Sequence, residues 1–104
     1  MRGEANIAFS ISTNDMTPST VWVFCGPKAA FPSGVFWSKD QAQAWIVANR
    51  LSGTLTEYPV GVGTYDWAVG EGLFRPSKPE HRQPAFIQTF SCAAQAHQHY
   101  EDGQ

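Results

Sequence analysis

The stretch L-S-G-T-L-T-E-Y-P-V-G-V-G-T-Y-D-W-A-V-G-E-G-L-F spans Leu51–Phe74 and holds most of the information about the fold. Glycine, proline and aromatic residues crowd into it. Thr54–Tyr58 carries β-branched and aromatic residues and reads as a strand. Pro59 limits that strand, because proline cannot donate to a ladder. Gly61-Val62-Gly63 is a turn. Thr64 then caps a short helix, Tyr65–Glu71, with Asp66 near its positive end. Gly70 weakens this helix and Gly72 ends it, so two turns at most are expected. The segment therefore reads as a helix ending, a strand, a turn and a second helix.

Upstream of it, S-K-D-Q at Ser38–Gln41 is a capping-box pattern, with Ser38 at the N-cap and Gln41 three residues on. Ala42, Trp45 and Ile46 follow as an apolar stripe at helical spacing, with Trp45 as the core anchor. Trp37 is expected to staple onto Ala42. The helix runs to Arg50, and Gly53 is the expected left-handed terminator. Before the helix, Thr20–Cys25 (T-V-W-V-F-C) is apolar on both faces, as in a central strand. Gly26-Pro27 stops it, and Gly34–Trp37 (G-V-F-W) returns as an antiparallel partner. Residues 1–19 form a lead-in, expected to be either disordered or a short edge strand in which Ile7, Phe9 and Ile11 alternate, and residues 20–104 form a single domain.

Downstream, Arg75–Pro84 is a proline-rich surface loop holding three of the seven basic residues, Arg75, Lys78 and Arg82. Ala85–Phe90 reads as the fourth strand. Ser91 caps a short turn, and periodicity does not decide whether His97–Tyr100 is helical or extended. The fold class is α+β: an antiparallel sheet of three or four strands packed on one main helix. The order is β-β-α-β-α-β with a short C-terminal element.

Composition narrows the functional classes. Charged residues make up 15% of the 104 and aromatics 13%, with four tryptophans. A surface so poor in charge leaves room for an exposed aromatic contact patch. The net charge of -2 argues against nucleic acid held by phosphate neutralisation. The apolar run Ile7–Ile11 is too short for a signal peptide or membrane span, so no membrane partner and a cytoplasmic location are expected. Cys25 and Cys92 make no metal or redox spacing and are expected to be reduced and buried.

Several segments resemble a family of small bacterial proteins classed as a domain of unknown function. They are V-W-V-F-C-G at Val21–Gly26, S-G-V-F at Ser33–Phe36, A-W-I at Ala44–Ile46 and L-S-G-T-L-T-E-Y-P at Leu51–Pro59. Y-D-W-A at Tyr65–Ala68, G-L-F at Gly72–Phe74, F-I at Phe86–Ile87 and H-Q-H-Y-E-D-G at His97–Gly103 continue the likeness. It covers roughly Val21–Gly103. The resemblance implies a fold and no mechanism. More loosely, the element order is similar to small regulatory and immunity-like modules, an analogy of fold alone.

No complete catalytic set is present by motif, so no catalytic residue and no cofactor are assigned. The leading reading is a small non-enzymatic binding module, regulatory or immunity-like, whose partner is another protein. Arg75, Lys78 and Arg82 would meet an acidic surface, with Phe74 and Tyr100 supplying apolar contact. The alternative is a small enzyme or metal-dependent hydrolase, using Asp66 as base, Tyr65 as acid, and His97 with His99. Those two histidines share one face if the chain there is extended, yet they are two ligands where a zinc site takes three or four. A homodimer that takes up the aromatic patch is the third reading.

Overall fold

Burial of one sheet face under a single helix sets the architecture. The structure is a computed structural model and describes residues 19–104. The lead-in strand expected at Ile7–Ile11 lies outside the described residues. Strand β1 is Thr20–Cys25, β2 Gly34–Phe36, helix α1 Lys39–Asn49 and β3 Gly53–Pro59. Helix α2 is Thr64–Gly70, followed by a 3-10 turn at Pro79–Arg82, a short helix α3 at Pro84–Ile87, and β4 at His97–Tyr100. The sheet order is β2-β1-β3-β4, antiparallel throughout. The α+β class stands as read from the sequence, with a four-stranded antiparallel sheet where three or four strands are expected.

The register explains which side chains go inside. Phe24 lies opposite Leu55, and Leu55 opposite Gln98. Phe24, Leu55 and Tyr100 pack with Ala42 and Ile46 of α1 into the core. Trp22, Phe36, Trp45 and Leu51 border it, half-buried. Trp45 meets the edge of Phe24 at 5.7 Å and Phe36 at 5.3 Å between ring centroids. It therefore shields the core from the side, while Ile46 is the fully buried anchor of α1.

Helix α1 begins as its sequence dictates: the Ser38 hydroxyl accepts from the Gln41 N–H at 3.1 Å. Gln41 Oε1 reaches back one residue further than the cap and accepts from the Trp37 N–H at 3.0 Å. Trp37 is three-quarters exposed, so it does not staple onto Ala42. At the other end, Arg50 itself takes the left-handed conformation expected of Gly53 (φ 52°, ψ 51°). Its N–H and that of Leu51 close on Val47 and Ile46 carbonyls. The cap of α2 is Gly63 rather than Thr64, with no side-chain bond.

The largest departure from the sequence reading is at the C-terminal end. Ala85–Phe90 forms no strand. Pro84 occupies the first helical turn, where a missing N–H costs nothing, and Gln88 N–H closes on its carbonyl. Phe86 and Phe90 fit both periods, two and four. Their rings, 5.8 Å apart, pack with Tyr65 and Phe74. The fourth strand is instead His97–Tyr100, which pairs with the otherwise open edge of β3 from Gly53 to Thr56.

Gly53 has a steric role where β3 enters the sheet. Its φ is 150°, and a Cβ there would collide with the Cys25 carbonyl oxygen and the Phe24 ring. Gly53→Ala is therefore expected to destabilise the fold by about 1–3 kcal/mol, as overpacking of a tight contact does. Urea denaturation of the two proteins measures this directly.

Candidate interaction site

The first cluster of exposed apolar groups belongs to the β1–β2 hairpin. Gly26-Pro27 ends β1, the Ala29 N–H closes a turn on the Gly26 carbonyl, and the Ser33 N–H returns to the Phe24 carbonyl at 2.9 Å. Along β2, Gly34 and Phe36 face α1, with Phe36 against Trp45, so alternation places Val35 on the opposite face. Phe31, Val35 and Trp37 are 79%, 64% and 75% exposed. Among the described residues, strand β2 is also an edge of the sheet. The run Ala29–Trp37 carries no charged residue, so the usual protection of an edge by charge is missing. The backbone under Trp37 is nonetheless held by Gln41. An exposed aromatic on a fixed backbone is how interface anchors are commonly presented.

Sequence reasoning passed over these residues for a physical reason. Phe31 sits in an aperiodic loop, and Trp37 directly precedes a helix cap, where a staple is the ordinary use. The one available signal was three large apolar groups within a charge-free run beside Gly26-Pro27.

The basic loop stands elsewhere and is more ordered than its prolines suggest. His81 Nδ1 accepts from the Ser77 and Lys78 N–H groups at 3.1 and 3.3 Å. The ring of His81 packs on Phe74 and Phe86 at 5.2 and 4.9 Å. Tyr65, Phe74, Phe86 and Phe90 make a half-buried aromatic cluster from which Arg75, Lys78 and Arg82 project, all three exposed. Arg82 Nη2 donates to the Pro76 carbonyl at 3.4 Å. Tyr100 does not join this group. It is 7% exposed, part of the main core, and its hydroxyl donates to Gln43 Oε1 at 3.0 Å. Its alternation in β4 turns it to the α1 face, so it offers no surface to a partner.

The residues of the alternative catalytic reading separate as well. Tyr65 is taken up by the aromatic cluster, and Asp66 is exposed on the first turn of α2. His97 and His99 lie exposed on β4, with ring centroids 5.4 Å apart. Among the described residues, no three His, Cys, Asp or Glu side chains come together as a metal set. Cys25 and Cys92 are free thiols, each half-buried rather than buried. An open hollow of about 680 Å³ beside His99 is lined by Pro27, Ser52, Thr54, Glu101 and Gln104 among others. Among the described residues, no helix is long and apolar enough to cross a membrane.

Burial raises the Tyr100 phenol above its ordinary range. The unfolded chain then gives up this proton at lower pH than the folded one. The contribution is fully present below about pH 10 and is lost as pH rises beyond it. Tyr100→Phe is expected to remove that alkaline loss, and to cost about 0.5–1.5 kcal/mol at neutral pH through the bond to Gln43. Thermal melts across pH 7–11 (roughly the range that brackets the phenol) read both effects.

The chain belongs to the family described as a domain of unknown function, DUF7710, which it matches over residues 21–104. That span takes in every described element save the first residue of β1. No curated protein and no solved structure matches the chain.

Proposed function

We propose that this protein is a non-enzymatic binding module that docks a partner protein on the β1–β2 hairpin. The observation that carries this reading is the exposure of Phe31, Val35 and Trp37 within one uncharged stretch, Ala29–Trp37, that includes the outermost described strand β2. Several large apolar groups exposed close together in the chain are a common mark of a contact surface. Aromatic anchors of this kind supply most of the affinity of an interface. A role as a regulatory or immunity-like protein in a bacterial cytoplasm accords with an activity that consists of occupying another protein's surface. Two unpaired thiols suit a reducing compartment.

The Arg75–Pro84 loop supports a second, electrostatic contact. Its three cations are displayed on a backbone fixed by His81 rather than on a floppy connector. Phe74 serves there as support for the loop. Such rim charges govern association rate, while buried aromatic anchors govern dissociation.

The two contributions separate kinetically once a partner is in hand. Phe31→Ala and Trp37→Ala are each expected to speed dissociation at least tenfold, the scale of a hot-spot residue, with melting temperatures nearly unchanged. Reversal of Arg75, Lys78 and Arg82 to glutamate is expected to slow association, most strongly at low salt. Surface plasmon resonance at two ionic strengths measures both. Unchanged dissociation in the Phe31 and Trp37 variants would place the interface elsewhere.

A further inference from the structure

We propose that His97 and His99 form an open two-imidazole chelate for a divalent transition metal of the zinc, copper and nickel group. Their spacing supplies only two ligands, and the fold adds the arrangement. Strand β4 is extended, so side chains at i and i+2 project from one face. Both rings are exposed on β4, the outermost strand on that side among the described residues. Their centroids stand 5.4 Å apart with planes at 85°. A zinc ion about 2.0–2.1 Å from each Nε2 would sit about 3.2 Å from each ring centroid, and a tetrahedral angle would set the centroids about 5.2 Å apart. The metal-free rings already stand close to that separation.

The nitrogens are also assigned by their partners. His97 Nδ1 lies 2.8 Å from the Gln95 carbonyl oxygen. A carbonyl only accepts, so Nδ1 carries the proton and the lone pair of the neutral ring is on Nε2. His99 Nδ1 lies 3.2 Å from Thr54 Oγ1. A hydroxyl accepts as well as donates, so with a metal on Nε2 it takes the Nδ1–H. Metal-bound histidines are typically steadied this way, the distal nitrogen donating to a polar group of the protein. Gln95 is itself buried, and its side chain bonds the Glu57 carbonyl and the Cys92 N–H. The carbonyl that orients His97 is therefore part of the rigid fold.

Among the described residues nothing completes a third protein ligand. Water fills the remaining positions, and the metal exchanges readily. Imidazole donors select zinc, copper or nickel over magnesium and calcium. The site shares no residue with the hairpin contact proposed above.

The test is calorimetric titration of the full chain, purified without a histidine tag, with zinc chloride. One zinc per chain is expected, with a dissociation constant in the micromolar range. His97→Ala and His99→Ala should each weaken binding at least tenfold. Thr54→Val should weaken it severalfold, and His81→Ala should leave it unchanged. In the unsubstituted chain, zinc should shift the Nε2 resonances of His97 and His99 in ring-nitrogen NMR spectra, which reads the site without any variant. Absence of binding would overturn the proposal. So would a shift at Nδ1 instead of Nε2, retained affinity in the double alanine variant, or one zinc per two chains.

Discussion

The contact between Phe24 and Leu55, directly opposed on adjacent central strands and covered by Ile46, is the constraint from which the rest of the molecule follows. Among the described residues, Leu55 and Ile46 are the largest fully buried side chains. A core this small is sufficient only if every strand keeps its register, since a slip of one residue would turn Leu55 out to solvent. The tight passage at Gly53 enforces that register, because its Cα lies where no side chain fits against Cys25 and Phe24. The aromatic rings of Trp22, Phe36 and Trp45 close the sides.

The C-terminal turn locks the same core from below. Tyr100 enters it beside Gly53, its register partner. Immediately afterwards, the Asp102 N–H bonds Ser52 Oγ at 3.0 Å and the Gly103 N–H bonds the Leu51 carbonyl at 2.8 Å. Gly103 has φ 85°, and a Cβ there would press on the Cα atoms of Arg50 and Val47. The H-Q-H-Y-E-D-G segment is thus a strand followed by a clasp over the end of α1. Its aromatic and glycine are structural, and its two histidines, which the clasp does not use, remain on the surface.

Legibility in the sequence followed the range of the interactions involved. Thr20–Cys25 and the Ser38 cap were readable because alternation, β-branching and a capping residue act within a few positions. Ala85–Phe90 was not, since phenylalanines four apart suit a helix and a strand alike. What decided it was Tyr65 and Phe74, which pack on those rings from a distant part of the chain. Tyr100 was misplaced for the same reason: its burial depends on pairing with Gly53, a contact between residues far apart in sequence. The order of the basic loop comes from His81, whose ring nitrogen holds two backbone N–H groups, a contact with no periodic signature in the sequence. At the site level, the basic residues were correctly read as exposed, whereas the hairpin aromatics gave no periodic signal.

Because α1 takes one sheet face, chemistry left over by the core collects on the other. Val35 opposes Val23, Val23 opposes Thr56, and Thr56 opposes His97, in one row across all four strands. Three interstrand spacings separate the ends of that row, about 14 Å. The open face therefore grades from an uncharged apolar edge at β2 to an imidazole pair at β4. A protein interface of ordinary size covers roughly 800 Å² on each partner, a footprint broader than that row is long. A partner seated on Val35, Phe31 and Trp37 and extending across the sheet would overlie His97 and His99. The two sites are then separate in chemistry yet adjacent in reach, a consequence of a core built to need only one side of its sheet.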